Sequence, residues 1–158
     1  MIGLPGKYTL GVLSVGVLSP NFNLLSSDSS FRGIYNYRGS FVVLYFYPSD
    51  DMNRSLSEIK LFRDKYKFFQ EHDIMLLAIS DGTNYSERQF SLKYAIPFPI
   101  LSDDDKKVSS EYKVLNKDNN IKRTTFLISN SSKILRVWSD SKLKDYYKEI
   151  FVEVEKNI

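Results

Sequence analysis

Seven consecutive apolar or aromatic residues, Phe41–Tyr47, lie between Gly39 and the polar turn that begins at Pro48. A run with no polar interruption reads as a strand covered on both faces, not as one side of a solvated sheet. Ile74–Ile79 has the same character. Between the two runs, Ile59, Phe62, Tyr66 and Phe69 recur at steps of three and four, which predicts a helix from about Ser55 to Gln70 with that side turned to the core. Strand, helix and strand in this order make a parallel, right-handed crossover, so the two strands are expected side by side in a central sheet.

Downstream, Asn84 with Glu87 predicts a second helix through Tyr94, and Ser102 followed by Asp103, Asp104 and Asp105 a third through about Tyr112. The short apolar run Phe98–Leu101 carries Pro97 and Pro99, which confine it to an edge or irregular strand. Thr124–Ser129 and Lys133–Ser139 are β-rich runs joined by a polar connection suited to a hairpin. A last helix is expected from about Ser141, with Leu143, Tyr146 or Tyr147, Ile150 and Val154 inside. Near the N-terminus, Gly11–Ser19 reads as a first strand or hairpin, because beyond Lys7 it lacks the basic flank and cleavage site of a signal peptide. The result is an α/β sandwich with a central mixed β-sheet and helices on both faces. At 158 residues and 42% hydrophobic content, residues 1–158 are expected to close around one core as a single domain.

The charge balance narrows the function classes. A net charge of +3 is mildly basic, but the cations are interleaved with acids, and Lys117–Arg136 is too sparse to track phosphates, so no nucleic acid is expected as a partner. No run approaches the ~18 apolar residues of a membrane helix. No membrane association is expected, and a cytoplasmic location is. The chain holds no cysteine, which excludes disulfides, thiolate nucleophiles and cysteine metal sites. Asp50-Asp51 and Asp103-Asp104-Asp105 lack the alternating ligands of a calcium loop and read as solvated helix caps; neither a metal nor a cofactor is expected. His72, the only histidine, stands a helix length from Ser55, too far to serve it as a base. Ser55 and Glu58 form the S-x-x-E pattern of a capping box, so Ser55 is expected to cap the first crossover helix.

Several stretches together resemble the peroxiredoxins of the AhpC/TSA family, in particular the bacterioferritin-comigratory-protein branch. They are Pro20-Asn21-Phe22, Tyr37-Arg38-Gly39, Val42 to Pro48, Phe62-Arg63-Asp64, Phe98 to Asp103 and Arg123-Thr124-Thr125-Phe126. The resemblance covers nearly the whole chain after residue 14 and implies a thioredoxin-like fold of peroxiredoxin type. It also implies an active site made of a proline, a hydroxyl residue four positions later, a peroxidatic cysteine three further on and an arginine from a later strand. Pro48 and Arg123 match that pattern, whereas Met52 stands at the hydroxyl position and Ser55 at the cysteine. Lys60 stands where some members carry a resolving cysteine.

Sulfur is what that chemistry turns on: a thiolate attacks the peroxide and then holds its oxygen as a sulfenic acid that another thiol reduces. A serine hydroxyl has no sulfenic equivalent. The resemblance thus implies a member of the thiol-peroxidase lineage without cysteine-based turnover, serving as a binding or structural protein. A homodimer and an unidentified protein partner are its expected associations. Two alternatives stand beside this reading. One is an active peroxidase in which an engineered serine replaces a cysteine at position 55; the other is a small-ligand or anion sensor using Pro48, Met52, Ser55 and Arg123 without turnover.

Overall fold

In the computed structural model, residues 12–158 are described. Two short strands, β1 (Leu24–Leu25) and β2 (Phe31–Arg32), pair antiparallel and lead through a 3-10 turn at Ile34–Tyr37 into β3 (Phe41–Tyr47). Then follow α1 (Met52–Glu71), β4 (Ile74–Ser80), α2 (Asn84–Lys93), β5 (Ile100–Ser102), α3 (Lys107–Glu111), β6 (Thr124–Ile128), β7 (Ile134–Ser139) and α4 (Leu143–Lys156). The main sheet has the order β5-β4-β3-β6-β7. Its β3–β4 and β4–β5 pairs are parallel, and β3–β6 and β6–β7 antiparallel. The expected mixed sheet is therefore present, with the all-apolar run at its centre.

All seven residues of β3 are buried, as a strand with neighbours on each side and layers above and below requires. Phe41, Val43, Tyr45 and Tyr47 share one face with Ile59, Phe62 and Phe69 of α1 and with Leu143, Tyr146, Ile150 and Val154 of α4. Val42, Leu44 and Phe46 lie on the other face with Val108 of α3, Tyr112, Phe126 and Ile34. Helices do cover both faces, unevenly: α1 and α4 form one layer, while the opposite layer is one short helix and irregular chain. The inner side of α4 takes Tyr146 and leaves Tyr147 half-buried.

Several expected boundaries shift, each for a local reason. Helix α1 begins at Met52 because Asp51, not Ser55, is its N-cap, accepting the Arg54 N–H. Thr83 rather than Asn84 caps α2. Ser102 remains in β5, and the third helix waits until Lys107, where the buried Asp103 carboxylate accepts the N–H groups of Val108 and Ser109. Helix α4 starts two residues after Ser141. The strand or hairpin expected at Gly11–Ser19 is not formed among the described residues: Gly11 lies outside them, and residues 12–19 make one isolated bridge, Leu18 to Lys133, with backbone hydrogen bonds to Tyr112, Ser132 and Ile134 around it.

One buried acid couples this fold to pH. Glu87 of α2 is 5% exposed and accepts hydrogen bonds from Tyr47 Oη at 2.6 Å and Ser80 Oγ at 2.5 Å. Burial raises its carboxyl above the ordinary 4.5, against those two hydrogen bonds and with a further push from Asp81. The folded protein thus holds this proton more tightly than the unfolded chain, so the contribution of Glu87 to stability is largest at acid pH and is lost as pH rises from 4.5 through the folded-state value. Urea denaturation of the parent and of Glu87→Gln across that range is expected to show the parent losing stability relative to the variant as pH increases. Parallel pH profiles would refute the assignment.

Candidate functional site

The parallel β3–α1 connection delivers the end of a buried strand to the start of a helix, and β6 runs antiparallel beside β3. This arrangement places Arg123, the residue before β6, against the first turn of α1. Arg123 is 5% exposed, and its Nη1 donates to Tyr45 Oη at 2.8 Å and to Ser55 Oγ at 2.9 Å. Nη2 lies 3.5 Å from the Asp51 carboxylate, the only acid at ion-pair distance among the described residues. Ser55 is wholly buried, and its hydroxyl donates to the Pro48 carbonyl at 3.2 Å. Pro48, Ser55 and Arg123 therefore form one hydrogen-bonded unit, although the sequence places them far apart.

Ser55 is not the helix cap its S-x-x-E context predicts. Its N–H is already an intrahelical donor, to Asp51 O at 3.1 Å, and Glu58 turns inward instead of back to the helix start. Glu58 accepts from Tyr45 Oη at 2.8 Å and, through its other oxygen, from the N–H of Leu143 at 3.2 Å. A carboxylate of α1 thus satisfies the first amide of α4, whose N-cap Lys142 supplies no side-chain acceptor. Arg54 completes the clasp, donating to the Asp140 carboxylate and to the carbonyls of Asp140 and Ser141 at 3.1–3.2 Å. Asp140 adopts φ 56°, a conformation that aspartate tolerates better than most residues. Burial, with the Glu58 charge beside it, holds the Tyr45 phenol well above its usual value, so it remains a neutral hydroxyl passing hydrogen bonds from Arg123 to Glu58.

Met52 does not join this unit. It packs against the core on the α2 side and lines a separate cavity with Phe90 and Tyr94. The open cavity of about 370 Å³ beside Arg123 is bordered by Pro48, not by Met52 or Ser55. Its walls carry Arg54, Lys122 and Arg123 against Asp50, Asp51 and Asp140, a balanced set that gives an anion no net attraction. Lys60 extends over the Tyr94 ring at 5.2 Å. His72 caps the far end of α1 with Nδ1 2.8 Å from Phe68 O, 17 residues or about 25 Å along the helix from Ser55.

Sequence reasoning missed Tyr45, Glu58, Arg54 and Asp140. For two of them a signal existed: the phenol of a buried tyrosine needs a partner, and Glu58 falls on the same helix side as Ser55, Ile59 and Phe62.

With this geometry in view, the relatives of the chain become informative. The profile of the AhpC/TSA family matches residues 15–137. The chain is 32% identical over 145 residues to the putative peroxiredoxin bcp of Coxiella burnetii, covering 87% of this chain and 96% of that one. It is 28% identical over 144 residues to the peroxiredoxin Bcp of Bacillus subtilis, covering 87% and 92%. Among solved structures, a cysteine-to-serine mutant of the Xylella fastidiosa PrxQ superposes with a TM-score of 0.84 at 24% identity, covering 93% of this chain and 98% of that one. The fold is thus the thioredoxin-like one of the peroxiredoxins.

Ser55→Ala would leave the Pro48 carbonyl without its donor and one Arg123 N–H without its acceptor, both buried. We expect it to destabilise the fold by about 1–3 kcal/mol in urea denaturation, with the helix content of α1 retained because Asp51 still caps it. A helix lost along with the hydroxyl would restore the capping role to Ser55.

Proposed function

That this chain belongs to the AhpC/TSA family is the premise from which we propose that it is a non-turnover member of the thiol-peroxidase lineage, keeping the fold and site scaffold for a binding or structural role. The observation that carries this reading is the state of Ser55. An oxygen stands at the position of the peroxidatic sulfur, fully buried, donating to Pro48 and accepting from Arg123, in a chain with no cysteine. Arginine and helix start lower the pKa of a thiol toward thiolate. A hydroxyl lies too far from ionisation for the same field to make it a nucleophile, and it cannot pass through a sulfenic acid. His72, the sole histidine, is too distant to act as base for it.

The geometry also weighs on the two alternatives. For the sensor reading, Asp51 already holds the free edge of the Arg123 guanidinium, and the surrounding charges balance, so an entering anion would have to displace a carboxylate. For the engineered-serine reading, Met52 is built into the packing against α2, which a single cysteine replacement at position 55 would not produce. A homodimer or a contact with another protein is the form of association that fits a retained scaffold. A cytoplasmic site of action is part of the same proposal; among the described residues no helix is long and apolar enough to cross a membrane.

Peroxide consumption with a thiol reductant tests the reading directly on the parent, Ser55→Cys and Ser55→Cys/Met52→Thr. We expect no turnover in the parent and measurable turnover once sulfur stands beside Arg123, greater in the double variant. Turnover by the metal-free, contaminant-free parent would overturn the proposal. A strictly monomeric mass in solution, together with no partner in a pulldown, would remove the binding role.

A further inference from the structure

Helix α4 has a side that the fold uses and a side that it leaves open. Leu143, Tyr146, Ile150 and Val154 are buried against the sheet, and on one flank Glu149 and Glu153 pair with Arg136 of β7 at 2.9 and 3.3 Å. On the other flank Phe151 packs on the rings of Phe69 and His72, with centroids 5.1 and 4.9 Å apart. That leaves Lys144, Lys148, Val152 and Glu155, which recur at steps of four, four and three and are all exposed. Among the described residues, the side chains of Lys144, Lys148 and Glu155 form no ion pair and no hydrogen bond.

Within the isolated chain two of these charges are ill placed. Lys144 lies in the first turn of α4, where the helix dipole disfavours a cation, and Glu155 in the last turn, where it disfavours an anion. Lys144 and Lys148 are also like charges one turn apart. Between the ill-placed ends lie Val152, 55% exposed, and the half-buried Tyr147 and Phe151. Lys65 of α1 extends over the ring of Tyr147 at 5.1 Å and over that of Phe68 at 5.7 Å, so the apolar patch continues onto Phe68, which is 50% exposed. The face thus carries a cationic end, an apolar centre and an anionic end, in chain order.

We propose that this face of α4, with Phe68 of α1 beside it, is the interface of a two-fold homodimer of this chain. The pattern is complementary to its own reverse. A second α4 laid antiparallel, with the two-fold axis passing between residues 149 and 150, sets Lys144 of each copy against Glu155 of the other, about 8 Å along the helix from the axis. The same register sets Lys148 against Phe151 and Tyr147 against Val152. Each ill-placed charge then meets its opposite, and the exposed valine is covered; a parallel pairing would instead set Lys144 on Lys144 and Glu155 on Glu155. The apolar centre supplies attraction and the charged rim fixes orientation. This inference rests on the binding or structural role proposed above and names the surface of its self-association. The competing occupant is a helix of another protein.

Sedimentation velocity on the full chain tests the interface. We expect a monomer–dimer equilibrium with a dissociation constant on the order of 100 μM, fitting for a small contact surface. Lys144→Glu sets acid against acid at both ends, and Glu155→Lys sets cation against cation; each is expected to weaken the dimer about tenfold. Both residues are exposed, so the variants are expected to keep the parent's circular dichroism. Mixing the two single variants restores both opposite-charge pairs in a heterodimer, and the double variant Lys144→Glu/Glu155→Lys restores them in a homodimer. Both are expected to recover the parent's affinity, a rescue that an effect confined to one helix would not give. A parent still monomeric at about 1 mM, single variants that associate like the parent, or no recovery on mixing would overturn the proposal. A parent dimer indifferent to these substitutions would place self-association on another surface and leave the binding role standing. A monomer that captures a different protein would do the same.

Discussion

The buried guanidinium of Arg123 is the constraint around which this molecule is arranged. A cation 5% exposed must have its donors occupied or it costs several kcal/mol. The chain meets most of that demand with neutral hydroxyls, Tyr45 and Ser55, and with a single carboxylate, Asp51, which is itself half-exposed. Each of these acceptors comes from a different structural step: the interior of β3, the first turn of α1, and the cap before it. Arg123 therefore ties β3, the first turn of α1 and its cap together, and the residue after β7 is held to it through the Asp140 N–H on the Arg123 carbonyl at 2.7 Å.

From there the order propagates. Tyr45 passes the contact on to Glu58, Glu58 to the first amide of α4, and Arg54 to the carbonyls that precede that helix. The two large helices on one face of the sheet are thus joined at their N-terminal ends by a polar clasp beneath which the aromatic layer of Tyr45, Tyr47 and Phe62 is packed. At the centre of this arrangement the Ser55 hydroxyl donates to the Pro48 carbonyl and accepts from Arg123, and its oxygen does not carry an oxidised intermediate as a sulfur can.

The main elements were legible because their signals are local and strong. β3 declared itself by unbroken apolar character, α1 by the spacing of Ile59, Phe62 and Phe69, and β5 as an edge by its prolines. Helix starts were less legible, because several residue types cap equally well and the winner depends on neighbours. Asp51 lies where the strand hands over to the helix, so it caps α1 although Ser55 carries the better motif. Asp103 reaches across five residues to cap α3, which no window of sequence reveals.

The resemblance to the family implied that Pro48 and Arg123 match its site and that Ser55 stands at the place of its cysteine, while the residues alone determined that cysteine chemistry is absent and that a parallel crossover brings a strand end to a helix start. Composition and periodicity suffice for the last two because they depend on residue type and near-neighbour spacing. Only the tertiary structure decided that Ser55 bonds to Arg123 rather than to its own helix, that Met52 faces the other way, and that Glu58 serves a helix 85 residues downstream. Those outcomes follow from which groups are desolvated together. A buried hydroxyl, carboxylate or guanidinium takes whichever partner the packed elements bring within reach, and that partner is named by the fold rather than by the neighbouring sequence.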